Sequence, residues 1–540
     1  METAALVFTT LAFIGFSYHR LRRYLHIFQQ EEYDSRRFFA WLLNDKTFDK
    51  RLTAGLVGLT VLSWMASDHT WPTIAFILFG LAFLIATYLE PNPEHAAKKK
   101  LAMTERAKRI LHLSLGLCVI VAIVIALANP SPGWTQLSWI ILVQLIPALL
   151  AFANWLLIPV EARIQRGFRS SAEARLAEVS PITIGITGSF GKTSVKHILG
   201  HVLQMNTNTL FTPGSVNTVM GISRIINEQL QDNCRYFLVE MGAYGTGSIA
   251  RLCKFTPPDH GIITSIGAAH YERFKDIDTV ARAKFELAEA VTQRQGHLII
   301  HESVLDQPYA KSVVDKDRAR FVVVGDSPNA DVIVRSVTQS REGLHVSLEI
   351  KGETHTLFAP LFGHHHAHNM ALSFAFAADI GLPADRIIQA MRSTPQISHR
   401  LELKSHASGA LYLDDAYNSN PQGFANALDL LDTLKRDDGR RILVTPGMAE
   451  LGTKHDEAHQ EIGRKTAQTT DLVLAIKPER IPTLLTGIRE AAGKTASTTE
   501  VMEFERFLDA QTWLNQNLKP SDTVLIENDL PDLYEREFIV

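Results

Sequence analysis

Cysteine is scarce in this chain of 540 residues. Cys118, Cys234 and Cys253 are the whole complement, which excludes a disulfide framework and suits a reducing, cytoplasmic setting for the soluble part. An excess of charge of either sign is missing too. Lys and Arg number 54 against 57 Asp and Glu, a net charge of -3, so composition gives no reason to expect a nucleic-acid partner. One hydrophobic core does not serve a chain this long, and at roughly 150 residues per domain about three or four units are expected.

Charge is absent altogether from five apolar runs, Ala4 to Tyr18, Leu52 to Ala66, Trp71 to Tyr88, Ile110 to Ala128 and Leu137 to Val160. The later ones approach the roughly 20 residues of a bilayer-spanning helix, so residues 1–160 read as a transmembrane helical domain of about five spans. The first two runs are short enough to lie in the interface instead. The amino terminus has no basic region and no clear small-residue cleavage site follows, so it reads as an anchor rather than a signal peptide.

Arg20, Arg22, Arg23, Arg36, Arg37, Lys46, Lys50 and Arg51 follow the first run, and Lys98, Lys99, Lys100, Arg106, Lys108 and Arg109 follow the third. No Lys or Arg lies near Asp68 or Gly133. Basic residues stay on the cytoplasmic side, which predicts an inner-membrane, multi-pass protein with everything after Glu161 in the cytoplasm. The segment "RLRRYLHIFQQEEYDSRRFFAWLL" reads either as an amphipathic helix on anionic headgroups or as a solvated loop. Residues 161–180 read as a tether.

From Pro181 short apolar runs alternate with helical patterns: "PITIGITG", "YFLVEMG", "GIITSIG" and "HLIIH" as strands, "KTSVKHILGHVLQ", "GSIARLC" and "TVARAKFELAEAV" as helices. That alternation predicts an α/β class, a parallel sheet over 181–395 that binds ligands at its strands' carboxyl ends. The turn "GSFGKTS" falls at such an end. Gly188, Ser189 and Gly191 would curl backbone N–H groups round phosphate oxygens, with Lys192 on the terminal phosphates and the Thr193 hydroxyl on Mg²⁺. The strict eight-residue pattern would want glycine at Ile186, so the turn alone also fits an ordinary helix cap. Glu240 and His270, each after a strand, are candidate metal groups beside it.

"TGSFGKTS", "PGSVNTVMGIS", "VEMGAYGTGSIARLC", "GIITSIGAAHYERF", "ARAKFELAE", "GHHHAHNMALSFAFA", "SHRLE", "DDAYNSNP" and "MAELG" follow in the order seen in the Mur ligase superfamily, which the chain resembles from about Pro181 to Gly452. The resemblance implies ATP and Mg²⁺ as cofactors. It implies that Lys192 and Thr193 serve the phosphates, that Glu240 and His270 hold metal, and that Lys284 is carbamylated to a further metal ligand. It places Asn217 near metal and phosphates, His365 and Asn369 on adenine, Arg400 on the phosphates from the next domain, and Asp414 at the ribose or the domain interface. Read from the residues alone, Lys284 with Glu286 is a solvated helix surface. Four histidines at 364–366 and 368 lack the cysteines or acids of a zinc site.

After Pro395 the pattern restarts, so 396–540 reads as a second, Rossmann-like α/β domain with Arg400 at the seam of a cleft. The activity implied is phosphoryl transfer from ATP to a carboxylate and attack of an amine on the acyl phosphate. The soluble UDP-sugar domain of such ligases is replaced here by membrane spans, and the last strand, "TVLIENDLPDLYE", lacks the usual lysine-glycine-serine ending. The expected substrate is a small-molecule or lipid-linked peptide, with cell-wall synthesis machinery as a possible neighbour. A membrane-bound poly-γ-glutamate synthase and, from another class, a nucleotide-driven transporter or switch are the alternatives.

Overall fold

The computed structural model describes residues 2–44, 49–65, 70–90, 101–128, 131–267, 276–416, 419–449, 451–492 and 499–528. Two compact units divide it, Met1–Gln165 and Arg166–Asp529.

The first unit is helical. Its helices are Glu2–Gln30, Ser35–Asn44, Arg51–Met65, Trp71–Leu89, Glu105–Ala128 and the beginning of Pro132–Val179. Four of these are long and apolar enough to cross a membrane; Arg51–Met65, with 15 residues, is shorter. The interior is aromatic, with Phe13 5.3 Å from Phe83 and 4.8 Å from Trp139 between ring centroids. Large apolar side chains also face outward, among them Leu62, Met65, Tyr88, Leu127 and Trp155.

Two expectations change here. The segment "RLRRYLHIFQQ" continues the first helix, because no glycine or proline stops it before Gln30. The break falls at Glu32 and Tyr33, both with positive φ, and a separate helix, Ser35–Asn44, follows. Buried Arg20 pairs with Asp49 at 2.8 Å and Glu90 at 2.7 Å. The tether at 161–180 is likewise helical, as part of Pro132–Val179. Its Ala, Arg and Glu residues are good helix formers, and Arg169–Glu173 at 2.8 Å is an i,i+4 pair.

The second unit holds two sheets. The first contains β1 (Ile182–Thr187), β2 (Thr209–Phe211), β3 (Tyr236–Glu240), β4 (His260–Ile263), β5 (Leu298–His301), β6 (Phe321–Gly325), β7 (Val332–Gln339), β8 (Leu344–Ile350) and β9 (Glu353–Ala359). Their order is β2-β3-β1-β4-β5-β6-β7-β8-β9, parallel as far as β7 and antiparallel beyond it. Because β1 lies between β3 and β4, the chain leaves it in opposite directions on its two sides, which opens a crevice at its carboxyl end. Both faces are covered: Val195, Leu199, Met370 and Phe374 belong to one core, Phe237, Val239, Phe285 and Leu287 to the other.

The second sheet contains β10 (Glu402–Ser405), β11 (Leu411–Asp415), β12 (Arg441–Thr445), β13 (Leu472–Ile476), β14 (Glu500–Phe504) and β15 (Thr523–Glu527) in the order β10-β11-β15-β12-β13-β14. Only β10 is antiparallel to its neighbour. Two helices on this sheet, His455–Thr469 and Pro482–Ala492, meet through glycine. A Cβ on Gly463 would lie 2.2 Å from the Leu484 carbonyl oxygen, and one on Gly487 would lie 2.2 Å from that of Gln460. Gly463→Val is expected to destabilise the folded chain by at least about 2 kcal/mol through overpacking. Thermal denaturation of the full chain checks this; an unchanged midpoint contradicts the close helix contact.

Candidate active site

The crevice is built around one loop. Strand β1 ends at Thr187, helix Lys192–Gln204 begins at Lys192, and Gly188 to Gly191 turn between them. Gly188 has φ +152°, and a Cβ there would lie 1.9 Å from Thr264 Oγ1; Gly191 has φ +80°, and a Cβ there would lie 2.6 Å from Asn369 Oδ1. Both positions therefore demand glycine. The exit of β4 clamps the loop: Ser189 N–H donates to the Ser265 carbonyl at 2.9 Å, Phe190 N–H to Ser265 Oγ at 2.9 Å, and Ser189 Oγ to the Gly267 carbonyl at 3.0 Å. The Lys192 ammonium folds into the loop and donates to the Gly188 and Ser189 carbonyls at 2.8 and 3.2 Å.

Glu240 ends β3 beside Ile186 of β1 and is 1 % exposed. Its Oε2 accepts the Thr193 hydroxyl at 2.9 Å and the Lys196 ammonium at 2.9 Å, and its Oε1 accepts Asn217 Nδ2 at 3.2 Å. Tyr244 donates its hydroxyl to Asn217 Oδ1 at 3.1 Å. Arg400 arrives from the chain leading into the second sheet and donates through Nη2 to Thr193 Oγ1 at 3.4 Å. Positive φ at His399 and Leu401 flanks it.

Charge and burial set the protonation states. Burial alone would push Glu240 up, but Lys196 and Lys192 with the Thr193 hydroxyl hold it below the usual carboxylate range. Burial, reinforced by Arg400 and Lys196 against Glu240, lowers Lys192 to about 8. Lys284, 5 % exposed on helix Ile277–Gln293, has no hydrogen-bond or ion-pair partner among the described residues. Burial and then the nearby Lys192 charge push it well below the usual lysine value. It is not the solvated surface residue that its helical pattern and Glu286 predict, because that face of the helix packs on the sheet. The Thr193 hydroxyl and Glu240 carboxylate are hard oxygen donors of the kind Mg²⁺ takes, whereas an uncarbamylated Lys284 is not.

Gly188, Ser189, Gly191, Lys192, Thr193, Asn217, Glu240, Asn369 and Arg400 thus converge. His365, at the exposed start of helix His365–Asp379, lies against His366 with ring centroids 4.2 Å apart and ring planes tilted by 40°. Asp414 on β11 binds His399 Nδ1 at 2.9 Å and Lys404 Nζ at 2.7 Å. His270 lies outside the described residues.

Two family models match: the Mur ligase middle domain over residues 186–377, and the Mur ligase, glutamate ligase domain over 399–527. The chain belongs to the Mur ligase family and is an ATP-dependent ligase. It is 27% identical over 362 residues to the UDP-N-acetylmuramoyl-tripeptide--D-alanyl-D-alanine ligase of Bacillus subtilis, covering 66% of this chain and 75% of that protein. The Escherichia coli ligase of the same name is 29% identical over 331 residues, 60% and 71% of the two chains. MurF from Acinetobacter baumannii shares the fold with a TM-score of 0.57 at 22% identity, over 69% of this chain and 81% of that one. The Thermotoga maritima MurF, solved in complex with ADP, gives 0.55 at 23% identity, over 69% and 82%.

Sequence reasoning missed two features of the ligase. Lys196 is fully buried on Glu240; its place one helical turn after Lys192 is the signal that would have found it. The other is an acid pair, Asp415 ending β11 beside Glu527 ending β15. Glu527 is fully buried and accepts the Ser419 hydroxyl at 2.6 Å, while Asp415 accepts Leu401 N–H at 3.2 Å. Burial raises both, Asp415 to about 7 and Glu527 well above the usual range. An acid whose folded value is raised contributes stability that is complete below about pH 4 and lost as pH rises through that folded value. Asp415→Asn, neutral throughout, is expected to flatten that loss between about pH 4 and pH 8. Denaturation midpoints across the range check it; a pH dependence as steep as the native chain's refutes it.

Proposed function

We propose that this ligase adds D-alanyl-D-alanine, or a closely similar amine donor, to the carboxylate of a peptidoglycan precursor, working at the inner face of a membrane that its N-terminal helices span. The observation that carries the reading is the meeting of Arg400, from outside the first sheet, with Thr193 of the phosphate loop. The names of the curated relatives support the substrate class. Four long apolar helices, their outward-facing apolar side chains and the basic residues between spans support the membrane placement.

The loop's backbone N–H groups and the N-terminus of helix Lys192–Gln204 receive the ATP phosphates, and Lys192 swings from its carbonyl partners onto the terminal ones. Lys192 and Arg400 neutralise charge on the γ-phosphoryl oxygens as that group passes to the acceptor carboxylate. Mg²⁺, when bound, supplies further charge neutralisation, and Thr193 and Glu240 would hold it. Asn369, packed against Gly191, and His365 face the nucleoside. The amine then attacks the acyl carbon, phosphate leaves, and an amide remains. Arg400 draws the second domain over the site and keeps water from the acyl phosphate.

Lys192→Ala is expected to abolish ADP formation, and Lys284→Ala to do so with partial rescue by added short carboxylates. ADP release by the purified ligase checks both; full activity of the Lys284 variant removes that residue from the site. The substrate assignment is tested by offering dipeptides and amino acids with UDP-linked and lipid-linked peptides and weighing the products. One amide per acceptor supports it, a ladder of additions indicates a poly-γ-glutamate type of activity, and ATP hydrolysis needing neither donor nor acceptor overturns ligation.

A further inference from the structure

Arg400 is carried by a loop that is closed at its base. The Gln396 side chain accepts Leu403 N–H through Oε1 at 2.6 Å and donates through Nε2 to the Leu403 carbonyl at 3.2 Å. Within the loop, Arg400 N–H donates to the Ile397 carbonyl at 3.1 Å, so Ile397 to Arg400 form a tight turn with His399 in its third position. Ile397 is buried in a core of the first sheet and Leu401 in a core of the second. The arginine is presented from a short bridge between them.

Two residues of that bridge lie in the left-handed region, His399 with φ +59° and Leu401 with φ +51°. Leu401 is 1 % exposed and donates its N–H to Asp415 Oδ1 at 3.2 Å, so packing holds it there. The His399 side chain is 55 % exposed, and packing gives it no such reason. Glycine or asparagine would take this turn position more readily. What holds the histidine is polar: Nδ1 meets Asp414 Oδ2 at 2.9 Å, and the backbone N–H donates to Glu402 Oε2 at 3.1 Å. A carboxylate only accepts, so Nδ1 carries the proton and donates it. Lys404 Nζ joins the same two acids, at 2.7 Å from Asp414 and 2.8 Å from Glu402, which face each other in the β10–β11 pair. The imidazole is thus pinned to the second sheet one residue before the arginine.

We infer that His399 is a positioning residue for Arg400: its Nδ1–H bond to Asp414 holds the left-handed turn that aims the guanidinium across the seam at Thr193 and the γ-phosphate of ATP. A left-handed residue that packing does not require, kept next to a phosphate-binding group, is strain of the kind that serves preorganisation. An arginine already aimed loses less freedom when the phosphate arrives. The inference rests on the role given to Arg400 above and adds the residue that sets it.

The test uses the full-length chain in detergent micelles, titrated calorimetrically with ADP and with a non-hydrolysable ATP analogue, Mg²⁺ being present throughout. The two ligands differ in the γ-phosphate, the group Arg400 faces. Arg400→Ala is expected to lower the preference for the analogue over ADP roughly tenfold, as the loss of a charged hydrogen bond to phosphate does. His399→Gly suits the backbone and removes the imidazole; it is expected to lower that preference at least about threefold, with the affinity for ADP unchanged. His399→Asn tolerates positive φ and places its amide nitrogen where Nδ1 stands, so it should keep the native preference. His399→Gln puts its amide nitrogen near the place of Nε2 and should not. A His399→Gly chain with native preference overturns the inference, and so does rescue by Gln equal to that by Asn. Should the Gly variant fail to fold, the contrast between Asn and Gln decides. An undiminished preference in Arg400→Ala overturns the role given to Arg400, and this inference with it.

Discussion

A carboxylate sealed from water at the end of a central strand has to be compensated, and three donor side chains compensate Glu240. Lys196 comes from the helix after the phosphate loop, Thr193 from that helix's first turn, and Asn217 from the loop following β2. Arg400 reaches the same cluster through Thr193. Removing one partner of a fully buried pair strands the other charge, at a cost of about 3–5 kcal/mol. The cluster therefore binds strand, helix, loop and second-domain approach into one electrostatic unit, and the catalytic geometry depends on it.

The phosphate loop depends on contacts of another kind. Gly188 and Gly191 are held so close to Thr264 and Asn369 that no side chain fits, and the donors from Ser189 and Phe190 anchor the loop to the exit of β4. Backbone amides are thereby aimed before a ligand arrives, which lowers the reorganisation needed to hold phosphate. In the second sheet the carboxyl ends of β11 and β15 carry acids that resist ionisation. Asp415 receives the backbone N–H of Leu401 next to Arg400, so the protonation of that pair and the backbone that carries the arginine share a hydrogen bond.

The helical unit is apolar on its outside as well as in its interior. Its interior has stacked and edge-to-face aromatics, yet Leu62, Met65, Tyr88 and Leu127 also look outward. A buried Arg20 between Asp49 and Glu90, and Arg109 on Glu161 at 2.7 Å, join helices through ion pairs at the ends of apolar runs, where the sequence shows only loose clusters of basic residues.

Periodicity alone made the parallel sheets legible, because strands buried on both faces read as unbroken apolar runs such as "YFLV" and "GIIT" and their helices alternate with them. The loop "GSFGKTS" was legible too, since positive φ and close approach leave glycine few substitutes. Tertiary structure alone decided the burial of Lys284 and the pairing of Lys196 with Glu240. A charged residue on a helix reads as solvated until the neighbouring layer is known, and ion-pair partners 44 residues apart leave no local pattern. The acid pair at Asp415 and Glu527 was likewise settled by packing, through strand register, whereas the helical course of 161–179 follows from its run of good helix formers, which outweighs Gly167.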